Sequence, residues 1–336
     1  MRIQLWLGML LCSLASVALA TERVNIYSFR QPFLIEPILA EFSAQTGIET
    51  RVIFAQDGLL QRLQREGRLS PADVVLTTDF ANLLELKQLG LTQPFQLNNT
   101  LTGNIPAHLR DSEQHWLALT KRTRNVYVSR DRSADITDIT YEQLVEPRFK
   151  GKICTRSGKH PYNLSLIASM IAHHGEVEAE QWLRGLKANL ARKPQGNDRA
   201  QVRAVYEGLC DIAIGNSYYL GKMLEDENQI AWAESVNILY PNRAERGTHI
   251  NVSGAAIARH APNKNAAQAL LEFLSSAKAQ EIYAQINMEY PVKPGVAPSA
   301  LIQRWGTFKE DELALEIIAK YHQAALALVD KVRFDL

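Results

Sequence analysis

The chain has 336 residues, 46% of them apolar and 22% charged, and 37 basic side chains nearly match 36 acidic ones. A formal net charge of +1, with both signs interspersed, offers no basic field for nucleic acid or for an anionic membrane surface. No stretch reaches the roughly 18 uninterrupted apolar residues that a membrane-spanning helix needs.

Residues 1–20 read as a secretion leader. Arg2 supplies the positive start, Leu5–Leu11 is an apolar run too short to cross a bilayer, and Ala18-Leu19-Ala20 is a small-x-small site cut after Ala20. Cys12 follows Leu10 and Leu11, which is not a lipid-attachment context. The mature chain is therefore expected to be exported and soluble, and it is long enough for two lobes, each with its own core.

Strand and helix signals then alternate. Val24–Tyr27 alternates as a strand; Leu34, Ile38 and Phe42 recur at four-residue spacing, and Gly47 stops that helix. Val52–Phe54 is a second strand, and Asp57 is placed to cap a helix that carries Leu59, Leu60 and Leu63 and ends at Gly67. Asp73–Thr77 is a third strand, after which Asp79 caps a helix with Leu83, Leu86 and Leu89 that closes at Gly90. The pattern restarts after residue 120. Asn125–Ser129 and Lys152–Thr155 read as strands, Pro161–Ala172 and Glu178–Leu190 as helices. Asp198 is expected to cap a helix to Tyr206, Asp211–Ile214 is a buried strand, and Tyr218 opens another helix. Helices dominate from Pro262 onward.

This alternation predicts an α/β protein with parallel sheet covered by helices on both faces. With no flexible linker, two such lobes form a hinged pair around a cleft. The boundaries predicted are 21–121 with 247–297 for the N-terminal lobe, and 122–246 with 298–336 for the C-terminal lobe.

Beyond the leader two cysteines remain, Cys154 and Cys210. They lack the close spacing and nearby histidines of a metal or redox pair. An even pair in an exported chain reads as one disulfide.

Ligands in such sheets bind beyond the carboxyl ends of the strands. Three post-strand segments stand out: Tyr27-Ser28-Phe29-Arg30-Gln31-Pro32, Arg156 through Asn163, and Gly215-Asn216-Ser217-Tyr218-Tyr219. The disulfide joins the strands feeding the last two, and so brings Tyr162 near Tyr218 and Tyr219. Phenolate is a hard oxygen donor suited to a hard trivalent cation, and three phenolates balance Fe³⁺. A Tyr-Tyr pair after a strand, taken alone, is more often an aromatic cap on a core than a metal site, and the same holds for Tyr162 alone. His160, His173, His174 and Asp79 are assigned to loop, surface and capping roles.

Several further runs carry a resemblance: Ser70–Thr77, Ile105-Pro106-Ala107, Ala191–Arg199, Ile214–Tyr219, Arg246-Gly247-Thr248-His249 and Trp305-Gly306-Thr307-Phe308-Lys309. Over the whole mature chain the sequence resembles the periplasmic ferric-ion-binding proteins of bacterial iron ABC transporters. The resemblance implies the two-lobed, type II-like periplasmic binding-protein fold, Fe³⁺ as cargo, and Tyr162, Tyr218 and Tyr219 as its ligands. It also implies delivery to an inner-membrane ABC permease by a periplasmic monomer.

Many members read Arg-His-Tyr after the first strand, where this chain has Arg30-Gln31-Pro32. Glutamine and proline cannot replace those ligands. The chain therefore resembles the subgroup that completes the iron shell with an exogenous anion, carbonate or bicarbonate. Arg30 and Gln31 carry donors suited to that anion, and Arg122 is a second guanidinium for it. All three tyrosines fall in the C-terminal lobe, so anion contacts from the other lobe would drive closure.

The rival within binding proteins is a carrier for an organic or anionic solute of the polyamine, phosphonate or thiamine type. The rival from another class, an exported enzyme, finds no nucleophile elbow, zinc-protease, Walker or dinucleotide motif.

Overall fold

In the computed structural model of the chain, the predicted alternation closes into a mixed sheet flanked by helices. The structure describes residues 22–55 and 58–336. The leader with its cleavage site, and Asp57 as a helix cap, lie outside the described residues.

Ten strands form among the described residues: β1 (Arg23–Ser28), β2 (Glu49–Phe54), β3 (Val74–Thr77), β4 (Thr92–Gln93), β5 (Leu117–Ser129), β6 (Ile153–Cys154), β7 (Ile212–Asn216), β8 (Val236–Leu239), β9 (Ile250–Ala258) and β10 (Tyr290–Pro291). Their order is β2-β1-β3-β9-β5-β7-β6, with β4 on β9, and β8 and β10 on β5. β1 runs parallel to β2 and β3, and β6 parallel to β7, as expected. β5 and β9 run antiparallel to their neighbours, so the sheet is mixed rather than wholly parallel.

β5 joins the two halves. Its first part pairs with β9, from Leu117↔Ala255 to Thr123↔Ile250, and its second part with β7, from Arg124↔Asn216 to Val128↔Ile212. Its side chains divide in the same way. Leu117 and Leu119 enter a core with Ile26, Phe42, Leu76 and Leu271. Val126 and Val128 enter a second core with Ile153, Ile167, Leu183 and Ile214. Each such fully buried aliphatic or aromatic side chain contributes roughly 1.5–3 kcal/mol. Gly254 in β9 admits no side chain, because a Cβ there would lie 2.4 Å from the Leu117 carbonyl oxygen.

Helix ends follow local chemistry. The helix Pro32–Thr46 has proline in its first turn, and Gly47 caps it in the left-handed region (φ 73°), its N–H donating to the Ser43 carbonyl. Asp79 caps the helix Phe80–Gln88, its carboxylate accepting from the Ala81 N–H at 2.7 Å. The helix Asp198–Tyr206 is capped by Asn197, which accepts from the Ala200 N–H at 3.0 Å. This corrects the capping role expected for Asp198, which is turned inward instead.

The C-terminal helix His322–Val332 packs on the helix Pro161–His174. Past it, Asp335 accepts from the Gly158 N–H at 2.7 Å and the Ser157 hydroxyl at 2.6 Å. The chain end thus pins the loop that leads into Tyr162.

Cys154 and Cys210 are bonded, 56 residues apart, and both are buried. Closing that loop stabilises the fold by on the order of 4 kcal/mol in the chain-entropy model. The double substitution Cys154→Ser, Cys210→Ser is expected to lower the guanidinium unfolding free energy by about 2–5 kcal/mol. An unchanged midpoint in that variant would show that the bond does not constrain the chain.

Candidate functional site

Between the carboxyl ends of β1 and β3 on one side, and the segments after β6 and β7 on the other, lies a cleft of about 740 Å³. Arg30, Gln31, Thr78 and Asp79 line the first side; Arg156, Tyr162, Tyr218 and Tyr219 line the second. Arg122 from β5 and Glu289 from the residue before β10 also face it. All six residues singled out from the sequence for iron and anion therefore meet in one cavity.

Backbone geometry places the tyrosines. Tyr162 sits in the first turn of the helix Pro161–His174, and Tyr218 and Tyr219 in the first turn of the helix Ser217–Leu224. The hydroxyls of Tyr162 and Tyr218 are 3.2 Å apart. The Tyr218 and Tyr219 rings stack, with centroids 4.2 Å apart and planes 30° from parallel. Burial, with the neighbouring phenols of Tyr162 and Tyr219, pushes the Tyr218 pKa well above its ordinary value. Burial pushes Tyr219 up to about 12. Both phenols are thus neutral at pH 7, and a metal ion bound to their oxygens would have to displace the protons.

Cations gather behind Tyr162. The guanidinium carbons of Arg122, Arg156 and Arg124 stand 5.3, 5.4 and 5.9 Å from its ring centroid. Arg122 donates from Nη1 to the Tyr162 hydroxyl at 3.3 Å, and from Nη2 to the Thr78 carbonyl. That one side chain therefore touches both walls of the cleft.

Arg124 and Arg156 are held by Asp198, which is fully buried. Its Oδ2 accepts from Arg124 Nη1 at 2.7 Å and from the Asn216 N–H at 2.9 Å, and its Oδ1 from Arg156 Nη1 at 3.1 Å. Burial raises the Asp198 pKa, but the two arginines and the Asn216 amide outweigh it, and the net shift is downward. Arg124 also donates to Asn163 at 2.6 Å and to Asn216 at 3.0 Å. Asn163 adjoins Tyr162 and Asn216 precedes Tyr218 by two residues, so this network fixes both tyrosine-bearing helix starts. Sequence reading missed it; the adjacent Asn197-Asp198 pair was the available signal, since only one of the two can cap.

Arg30 is 1% exposed and is committed to Glu289, with Nη2 at 2.6 Å from Oε2 and Nη1 at 3.3 Å from Oε1. Sequence reading also missed Glu289. Gln31 is exposed at the start of the helix Pro32–Thr46, with its side chain at the cleft.

His160 is half-buried, not the solvated loop residue expected. Its Nδ1 accepts from the Tyr162 N–H at 3.2 Å, its ring meets Tyr162 edge-on at 4.5 Å, and burial, followed by Arg156, lowers its pKa to about 3. His173 and His174 lie outside the cleft lining; their Nε2 atoms are each 2.8 Å from a carboxylate, on Asp311 and Glu142 respectively. Asp79, besides capping, accepts from Asn251 Nδ2 at 2.6 Å, and burial raises its pKa.

The family model described as bacterial extracellular solute-binding protein matches residues 70–308. The chain belongs to that family. This solute-binding protein is 40% identical, over 88% of its own length and 82% of the relative's, to iron uptake protein A1 of Synechocystis. It superposes on the apo ferric ion-binding protein A of Pasteurella haemolytica with a TM-score of 0.90, at 53% identity, covering 94% of this chain and 99% of that one. A Trichodesmium protein solved with iron and citrate ligands superposes with a TM-score of 0.88 at 38% identity, covering 93% and 99%. The two-lobed binding-protein fold is shared with these structures. No helix among the described residues is long and apolar enough to cross a membrane.

Proposed function

We propose that this solute-binding protein captures Fe³⁺ in the periplasm and delivers it to an inner-membrane ABC permease. It works as a monomer after its leader is cut behind Ala20, with the lobe boundaries predicted from the sequence. In this reading the iron ligands are the phenolates of Tyr162, Tyr218 and Tyr219, and a carbonate or bicarbonate anion completes the shell. The observation that carries it is the convergence of three phenols on one cleft wall, two of them with hydroxyls 3.2 Å apart. Among the described residues no group of three His, Cys, Asp or Glu side chains is placed to hold a metal. The phenols are therefore the donors that a hard cation would use. Relatives named for ferric-iron binding and iron uptake support the same cargo.

Two guanidinia support the anion. Three phenolates balance Fe³⁺, which leaves the rest of the lining to set the local field. Among the described residues that lining holds five cations, Arg30, Arg122, Arg156, Arg199 and Lys222, against three carboxylates, Asp79, Glu85 and Glu289. Asp198 and Glu225 pair with Arg156 and Lys222 from outside the lining, so it is the Arg30 and Arg122 guanidinia at the cleft, rather than net charge, that suit an oxyanion or iron arriving as a weak anionic chelate. Arg30, Gln31 and Arg122 are the donors assigned to the anion.

The test is competition for iron against a chelator, with and without bicarbonate. Arg30→Ala is expected to weaken iron binding by about 10–100-fold when bicarbonate is the sole anion. Equal wild-type affinity with and without an added anion would remove the anion from the mechanism.

A further inference from the structure

We propose that Glu289 sets the charge of the anion seat, and so decides which anions this protein accepts beside its iron. The inference rests on the tyrosine-plus-anion reading above. Glu289 is 4% exposed and stands between the two arginines assigned to the anion. It takes both terminal nitrogens of Arg30, at 2.6 and 3.3 Å, and lies 4.0 Å from Arg122 Nε. Asn287 Nδ2 reaches it at 3.5 Å and donates to the Leu34 carbonyl at 3.1 Å.

The backbone builds this position. Met288 caps the helix Ala277–Asn287 in the left-handed region (φ 56°), and Tyr290 then pairs with Lys121 in β5, beside Arg122. Glu289 is thereby held between the helix end and the strand that carries Arg122. Its carboxylate mimics, within the chain, the ligand these guanidinia are suited to bind.

The consequence follows from charge and donor count. Two guanidinia alone would present two positive charges to an incoming anion; with Glu289 between them they present one. The Nε of each arginine is buried and has no hydrogen-bond partner, whereas the paired nitrogens of Arg30 are free for an anion only if Glu289 yields. Glu289 therefore disfavours multiply charged anions most strongly, and bicarbonate less.

The experiment titrates bicarbonate, and separately citrate, into iron-loaded mixtures of wild type and Glu289→Gln, following the phenolate-to-iron absorption band. The variant is expected to need about tenfold less bicarbonate for half-saturation, and to gain more for citrate than for bicarbonate. A half-saturation unchanged or raised for both anions would overturn the proposal, leaving Glu289 as a support for Arg30. Should Glu289→Gln fail to fold, the neutral Glu289→Met serves, because it too removes the charge, though without an amide to hold Arg30. Its bicarbonate requirement should also fall, and an unchanged or raised value overturns the proposal equally. A wild type with no band under any anion instead sinks the iron reading, and one whose band ignores anions sinks the anion reading; the present proposal falls with either.

Discussion

Tyr218→Phe and Tyr219→Phe are each expected to abolish saturable ferric binding at micromolar iron while leaving the fold intact. Each removes one hydroxyl from rings that stay stacked on one another, so packing is nearly conserved. What is lost is one of three anionic oxygens, and with it the charge balance around Fe³⁺. Tyr162→Phe should do the same, and additionally frees Arg122 Nη1, which donates to that hydroxyl at 3.3 Å. Visible absorbance against added iron, with a thermal melt alongside, checks all three. Retained binding in any one variant would remove that tyrosine from the ligand set.

The second large effect is expected at Asp198. Asp198→Ala leaves the buried Arg124 and the half-buried Arg156 without their shared carboxylate, and breaking the buried Arg124 pair in this way costs about 3–5 kcal/mol. It also withdraws the acceptor for the Asn216 N–H, so the start of the tyrosine-bearing helix loosens. The pH dependence has a definite sign. The folded-state pKa of Asp198 lies below its ordinary value, so its contribution is fully present above about pH 4, the unfolded carboxylate range. It is lost as pH falls through the folded value. Urea melts of wild type and Asp198→Ala should therefore differ most near neutrality and converge in acid. A constant difference across pH would place the stabilisation in packing rather than in charge.

Much of this was legible in the sequence, for identifiable reasons. The first three strands and their helices announce themselves through the alternation at Val24–Tyr27, the apolar runs Val52–Phe54 and Val74–Leu76, and stops at Gly47 and Gly67. The cysteine pair needed only its even number and the compartment; position after strand ends made the three tyrosines candidates, and their assignment as ligands came from the family resemblance. The strands spanning both halves were less visible. β5 was read only from Asn125, because Lys121, Arg122 and Arg124 interrupt its apolar pattern. Those arginines are nonetheless 2% exposed, since Glu289, Tyr162 and Asp198 receive them. β9 is buried at every position yet interleaves Ile250, Val252 and Ile257 with Asn251, Ser253, Gly254 and three alanines, and Gly254 is required by the close approach of β5. Local pattern cannot reveal such a strand, because its cause lies in the neighbour. Glu289 is the same kind of case. A lone acid among Met288, Tyr290, Pro291 and Val292 signals a buried charge, but its partner Arg30 is 259 positions away.

The most direct test of the account is a visible spectrum of chelator-stripped protein titrated with a weak ferric chelate in bicarbonate buffer. A red-orange phenolate-to-iron charge-transfer band that saturates at one iron per chain is the expected result. A folded protein that develops no such band would contradict it, and would assign the same cleft to an organic or anionic solute.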